Sequence, residues 1–492
     1  MRDEPHLPSA SNPEPERASD PDQRRRAGLI AVPPVVAWLL LGPLPGVLSA
    51  DMRAVAALAA AMAILWVSEA VPLAATALLP LIVLPAAGVA TASQAAGAFA
   101  NDLVFLFLGG FVLANGVERS GVHRRLALAV RRTVGSSQAA LVGGMMAATA
   151  FVSLWISNTA AALLMMPVAL AVAAPGGPAA TSFRTAMAIG VALAASIGGM
   201  GTPIGSTPNL LLATTMAEVH HVRLGFGWWL AWGLPLVIVL TAAAWALLVG
   251  VFHPLRGAQV PGSAEELAAE QAAIGPWSRE ERLVALTFSV VIAAWIGREP
   301  VLAAWVPGLT DGMIAITAAV ALFTIPLAWR PLRFTLDWET GGKLPWDVIL
   351  LLGGGLSLAE GIARTGLDRV LVQGLGGAAD LPSWALALGL MLAGVLLSEV
   401  ALNTAAAALL LPIAGALAAA RGLDPLVLML PVTLAASLGY MLPAATPPNA
   451  LALGTGHVRP GELARVGALM DLLGMAGIML ACYALAFPLL GR

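Results

Sequence analysis

The chain has 492 residues, 59% of them hydrophobic and only 11% charged, with a formal net charge of −2. Soluble domains carry about 25% charged residues, so this composition excludes a soluble globular protein and describes a polytopic membrane protein, in line with a mean hydropathy of +0.85. The charge excludes a nucleic-acid partner, and a single cysteine, Cys482 in an apolar stretch, excludes an intrachain disulfide and a thiolate metal site.

Residues 1–28 are polar and rich in Pro, Arg and Asp, the composition of a disordered tail. They are not a signal peptide, because the apolar run that follows is too long and lacks a small-residue cleavage site. Arg24, Arg25 and Arg26 precede the first span and put the N-terminus in the cytoplasm by the positive-inside rule. A span needs about 20 apolar residues. Runs of that kind lie near 29–49, 53–70, 71–91, 102–120, 226–252, 283–298, 311–329, 347–363 and 465–490. Two further passes, near 184–220 and 425–458, are interrupted by Gly/Pro-rich loops, and stretches near 137–174 and 382–419 carry polar motifs in their middles. The fold class expected is all-α: about eleven membrane passes plus two re-entrant hairpins. Arg119, Arg124, Arg125, Arg131, Arg132, Arg184, His253, Arg256, Arg330, Arg333 and Lys343 would then face the cytoplasm, and Arg298, Arg364 and Arg369 the other side.

The chain repeats itself. SLWISNTAAALLMMP (153–167) returns as SEVALNTAAAALLLP (398–412), with Asn158, Thr159 and Pro167 matched to Asn403, Thr404 and Pro412 at one offset (403 − 158 = 245). Residues 102–124 align without gaps to 347–369, and GSTPN (205–209) corresponds to ATPPN (445–449). Five passes separate Asp102 from Asp347. An odd number of crossings makes this an inverted repeat, a common architecture of alternating-access transporters.

Each half contributes an Asn-Thr hairpin tip and a Gly/Pro-broken helix. Unpaired N–H groups at such helix starts favour an anion. Exposed carbonyls with Ser, Thr and Asn oxygens suit a small hard cation such as Na⁺. A single Ser, Thr or Asn in a membrane helix is usually interhelical glue; two matched tips with two matched Pro-Asn breaks reverse that expectation. No Lys, Arg or His lies within these four elements. The anion's charge is therefore expected to be offset by bound cations, which would couple their transport.

Glu69, Asp102, Glu118, Asp311, Glu360, Glu399 and Asp471 lie in or beside apolar stretches. Glu399, next to the second tip, could relay a proton, but a satisfied structural carboxylate is the preferred expectation. His457 is read as a cap, a gate or a packing residue, His220 and His221 as membrane-edge residues, and most tryptophans as interfacial anchors. No HExxH or GxSxG motif is present, which argues against an intramembrane enzyme.

SNT followed by an apolar run to proline, the second Asn-Thr tip, ATPPNA, EAVPLAATALLPLIVLPAAG (69–88) and LLLGGG together resemble the divalent anion/sodium symporter family. The resemblance runs from about residue 29 to the end. It implies sodium-coupled uptake of a small divalent anion such as succinate, malate or fumarate, with citrate or sulfate in some members. It also implies a homodimer in which a transport domain slides like an elevator along a fixed scaffold. By that resemblance Ser153, Ser157, Asn158 and Gly205 would form one sodium site, and Ser398, Ala401, Asn403 and Ala445 a second. Substrate would touch Ser157, Asn158, Thr159, Asn403, Thr404, Thr446 and Pro447. The family's second tip is usually Ser-Asn-Thr, and here Leu402 takes the serine's place. Leaving a carboxylate without that hydroxyl would cost about 1–3 kcal/mol, which points to a smaller, asymmetric or differently placed substrate.

The sequence thus reads as an inner-membrane, sodium-coupled importer of a small di-anion, with no organic cofactor. Residues 29–135 and 253–381 would form the scaffold, and 136–252 and 382–492 the moving part. The nearest alternatives are a sodium-independent dicarboxylate exchanger and a sulfate carrier on the same fold.

Overall fold

The computed structural model describes the chain outside residues 1–20, 43–47, 69, 101, most of 123–134, 174–180, 256, 259–271, 273–274, 299–300, 368–369, 371–380, 444 and 490–492. The first part of the tail, Glu69, Arg124, Arg131, Arg256, Arg369 and the side chain of Arg24 lie outside the described residues.

Helix α1 spans Pro21–Leu41 and so starts earlier than the expected tail boundary at 28. Pro21 opens it with a preset φ, and the following Gln and Arg residues are good helix formers. It packs against α2 (Ala50–Ser68), with Gly28 so close to Ser68 that a Cβ there would clash. The single span expected at 71–91 is instead two helices, α3 (Leu73–Ala77) and α4 (Leu79–Ala86). Pro80 lacks an N–H and cannot continue α3. A Thr91/Gln94 capping box starts α5 (Ala92–Gly97), and α6 runs over Asp102–Ser120.

The first polar unit follows. Helices α7 (Gln138–Ser153) and α8 (Asn158–Ala173) form a hairpin, and α9 (Thr181–Gly199) and α10 (Thr207–Glu218) form one helix broken at the glycine-rich loop. Next come α11 (Phe226–Leu247, running on as a π-helix to Phe252), α12 (Arg279–Gly297) and α13 (Asp311–Thr324). The expected helix to residue 329 stops short because Pro326 starts an antiparallel hairpin, β1 (Pro326–Trp329) and β2 (Leu332–Phe334). This two-stranded element is the departure from an all-α chain. After α14 (Trp338–Gly341) and α15 (Trp346–Thr365), the second polar unit repeats the first. It consists of hairpin α16 (Ser383–Val400)/α17 (Asn403–Ala420) and broken helix α18 (Leu426–Ala435)/α19 (Pro447–Gly454). Helix α20 (Pro460–Ala481) continues through a π-turn to Leu489.

Among the described residues, six helices are long and apolar enough to cross a membrane. The most enclosed is α9, whose apolar and small side chains pack against α7, α8, α11 and α19 at the centre of the molecule. Small residues set the close contacts elsewhere: a Cβ on Gly109 would lie 2.5 Å from the Ala315 backbone, joining α6 to α13.

Charges pin α6 and α12 at both ends and α13 at its start. At one end Arg298 meets Asp311 at 2.6 Å and the Thr310 hydroxyl donates to Asp102 at 2.7 Å. At the other, Arg119 pairs with Asp337 and Glu280, and Arg125 meets Glu281 at 2.6 Å. The Arg125 hydrogen bonds hold the Glu281 carboxyl below the usual carboxylate range. The tryptophans divide: Trp38, Trp277, Trp305, Trp329, Trp338, Trp346 and Trp384 are exposed, whereas Trp66, Trp155, Trp229, Trp232 and Trp295 are core. Trp295 stacks on Phe226 at 4.5 Å. The expectation of mainly interfacial tryptophans is corrected to that extent, because aromatic area is what fills the gap between α7, α11 and α12.

Candidate transport site

At each hairpin tip the chain stops one helix, turns over four or fewer residues and starts another. In the first tip the buried Ser153 hydroxyl donates to the Ala195 carbonyl of α9 at 2.5 Å and lies 3.2 Å from the Asn158 carboxamide. In the second, Ser398 donates to the Ala436 carbonyl at 2.8 Å and lies 2.6 Å from Asn403 Oδ1. One hydroxyl hydrogen serves one acceptor, so each tip gathers more oxygens than it has protons to link them. Around Asn158 the excess is explicit. With its amide nitrogen turned inward it donates to Ala195 O, Ser153 Oγ and Gly205 O at 3.2, 3.2 and 3.3 Å. With its oxygen turned inward, the same place is a cluster of oxygens, the donor set that a hard cation takes. Backbone must approach closely for this: a Cβ on Gly199 would sit 2.1 Å from Asn158 Oδ1, and one on Gly205 2.6 Å from the Gly199 carbonyl.

The breaks are held by side chains that the sequence reading did not single out. Asn209 Nδ2 donates to the carbonyls of Gly199 and Thr202 at 2.9 and 2.8 Å, and Asn449 Nδ2 donates to those of Gly439 and Leu442 at 3.1 and 3.0 Å. Their signal was present in the matched Pro-Asn pairs. Thr202 adds a bond to the Leu154 carbonyl at 2.5 Å. Glu399 accepts the amides of Met441 and Leu442 at 2.9 and 2.8 Å, and Asp471 accepts those of Gly439 and Tyr440 at 3.2 and 3.3 Å. Two buried carboxylates thus hold four consecutive amides of the second break. Where they stand, the first half has Leu154 and Val237, packed tightly on Gly201. Glu399 therefore occupies the structural role expected of it.

Ser157, Asn158, Thr159, Asn403, Thr404, Thr446 and Pro447 line one cavity of about 370 Å³, together with Gly205, Ser206, Thr207, Ala445 and Leu402. Ser153, Ser398 and Ala401 do not line it; they are buried behind the tips. The opposite wall comes from α3, α6 and α15: apolar Leu73, Phe107, Phe111, Val348 and Leu351, with Asp347 in the first turn of α15. The starts of α8, α10, α17 and α19 all contribute lining residues, so four helix N-termini converge on the cavity. Asp347 is the charged residue of this lining. An anion here is met by dipoles, amides and hydroxyls rather than by a fixed cation.

The remaining candidates take structural places. Asp102, Asp311 and Glu360 pair with Thr310, Arg298 and Arg364. The His457 carbonyl accepts the Thr185 hydroxyl at 2.7 Å, tying the loop after α19 to α9. His220 and His221 follow α10.

The chain matches the family model of the sodium:sulfate symporter transmembrane region over residues 23–490. It is 35% identical over 478 residues to the sodium-dependent dicarboxylate transporter SdcS of Staphylococcus saprophyticus, covering 94% of this chain and 92% of that one. It is 35% identical over 432 residues to SdcS of Staphylococcus aureus (strain USA300), covering 85% and 83%. Among solved structures, the YdaH transporter of Alcanivorax borkumensis, described as having an unusual topology, superposes with a TM-score of 0.54 at 15% identity, covering 79% of this chain and 85% of that one. That likeness concerns the fold alone.

Proposed function

Because the chain belongs to the divalent anion/sodium symporter family, we propose that it is a sodium-coupled importer of a C4-dicarboxylate such as succinate, malate or fumarate. The observation that carries this reading is the cavity between two matched tips, lined without a basic side chain and backed by oxygens gathered around the Asn158 and Asn403 carboxamides, whose own oxygens complete a cation site when turned inward. An anion in it needs a counter-charge, and the clusters at Asn158 and Asn403 are where sodium would supply it. Bound sodium would neutralise the anion's charge and orient the tip helices, so empty tips would bind substrate poorly. That dependence is the coupling. The 35% identity to dicarboxylate transporters supports the substrate class, as does a 370 Å³ cavity with polar groups from both halves.

In this reading Ser153, Ser157, Asn158 and Gly205 bind one sodium, and Ser398, Ala401, Asn403 and Ala445 another. Substrate contacts Ser157, Asn158, Thr159, Asn403, Thr404, Thr446 and Pro447. Counting the broken helices as single passes gives eleven crossings and two re-entrant hairpins in an inverted repeat, with the N-terminus in the cytoplasm of a cell's inner membrane. Residues 29–135 and 253–381 form the scaffold of a homodimer, and the hairpins and broken helices slide along it.

The test is labelled succinate uptake into proteoliposomes under an inward sodium gradient, with potassium and choline controls. Uptake that requires sodium supports symport. Sodium-independent uptake driven by internal dicarboxylate makes the protein an exchanger. Sulfate transport without succinate uptake makes it the sulfate carrier that the family model's description brings to mind.

A further inference from the structure

The cavity's two half-sites are matched, and at two positions of the lining a hydroxyl of the first half has no hydroxyl counterpart in the second. Ser157 and Thr207 of the first half stand where the second half has Leu402 and Pro447, in the registers that pair Asn158 with Asn403 and Pro208 with Pro448. All four residues line the cavity. The first half therefore presents the hydroxyls of Ser157, Thr159 and Thr207, while Ser206 Oγ is itself buried. The second half presents only those of Thr404 and Thr446, and the Thr446 hydroxyl already accepts the Asn449 amide at 3.3 Å as the cap of α19. No side chain caps α17 at Leu402, whereas Ser157 accepts the Ala160 amide at 3.3 Å on α8.

We propose, resting on the dicarboxylate reading above, that this cavity selects diacids with unlike ends. A hydroxylated carbon is accepted beside the first half, and only a bare or alkylated carbon beside Leu402 and Pro447. A ligand hydroxyl pressed against an isobutyl group and a proline ring has left water and found no partner. A methyl group in the same place gains apolar contact. Malate escapes the penalty by turning its single hydroxyl toward Ser157 and Thr207. Tartrate carries a hydroxyl at both ends and cannot.

The test is competition against labelled succinate in proteoliposome uptake driven by an inward sodium gradient, using malate, tartrate and methylsuccinate. In the wild type, tartrate is expected to need about tenfold more than malate for half-inhibition, equal to about 1.4 kcal/mol. Methylsuccinate should compete at least as well as succinate. The double variant Leu402→Ser/Pro447→Thr should close the tartrate–malate gap by improving tartrate. The mirror variant Thr207→Val, which spares the residues assigned to sodium, should weaken malate several-fold relative to succinate. The wild-type ranking and the mirror variant decide the matter should the first variant not fold. Equal competition by tartrate and malate in the wild type, or a gap that survives in a folded Leu402→Ser/Pro447→Thr protein, overturns the proposal while leaving succinate transport intact. Absence of succinate uptake altogether overturns the dicarboxylate reading, and this inference with it.

Discussion

The proposed sodium sites at the hairpin tips depend on single oxygens and single hydrogens. Asn158 and Asn403 each face a serine hydroxyl committed to a carbonyl, so removing either carboxamide removes an oxygen that nothing nearby replaces. Asn158→Ala and Asn403→Ala are expected to lower sodium-dependent uptake by about a hundredfold or more while the protein still elutes as a folded species, since a lost cation contact acts on binding and rate together. Full activity in either variant removes that residue from the site. Gly199→Ala is the steric counterpart. Its methyl would enter at 2.1 Å from Asn158 Oδ1 and displace the carboxamide, costing about 1–3 kcal/mol in stability as well as activity. Unchanged sodium dependence in that variant would mean that Asn158 is not held where the geometry puts it. These residues were legible because the chain states them twice. Asn209 and Asn449 were visible in the same repeats, but their hydrogen bonds run back across the break to residues 199, 202, 439 and 442. Sequence spacing alone does not show a chain reversal of that kind.

At the level of elements, the two breaks are built by different chemistry. The first rests on glycine packing under Leu154 and Val237, the second on Glu399 and Asp471. Glu399→Gln keeps one acceptor and sets an amide nitrogen against the other N–H, so it should lower stability by about 1–3 kcal/mol. A thermal melt in detergent reads this directly, and an unchanged midpoint would show that the amides find other partners. The Arg125–Glu281 pair makes a pH prediction. The folded state holds the Glu281 pKa below its unfolded value, so its contribution is present above the unfolded carboxylate range and is lost as pH falls through the lower folded value. Acid should therefore destabilise the wild type more steeply than Glu281→Gln, measured as melting temperature against pH. Element boundaries were less legible than element types. Pro80 and Pro326 each ended a helix that hydropathy alone would have continued, and Pro21 started one inside a segment that composition marked as tail.

For the whole molecule, the issue is whether one part slides on the other. Leu211 on α10 lies against Gly355 on α15, 3.2 Å from where a Cβ would be. The Leu211 side chain thus touches the Gly355 surface, so a Leu211→Cys/Gly355→Cys pair tests whether the two surfaces stay together, and the native Cys482 is buried. Oxidation should abolish uptake and reduction should restore it, with sodium-dependent substrate binding retained in the oxidised form. Full transport in a completely cross-linked protein would exclude movement between these two helices.

The amino-acid sequence by itself determined the class of molecule, the duplication, the four polar elements and the absence of a fixed cation among them. These are properties of composition and periodicity, which every residue carries with it. Only the tertiary structure decided that the tips and breaks of both halves meet at one cavity. It also assigned Glu399 and Asp471 to backbone amides and set Ser157 and Thr207 opposite Leu402 and Pro447. Those facts arise from contacts between segments distant in sequence, 32 and 42 residues apart for the two carboxyl groups and about 240 for the two half-sites, where the burial of α9 fixes which surfaces can meet.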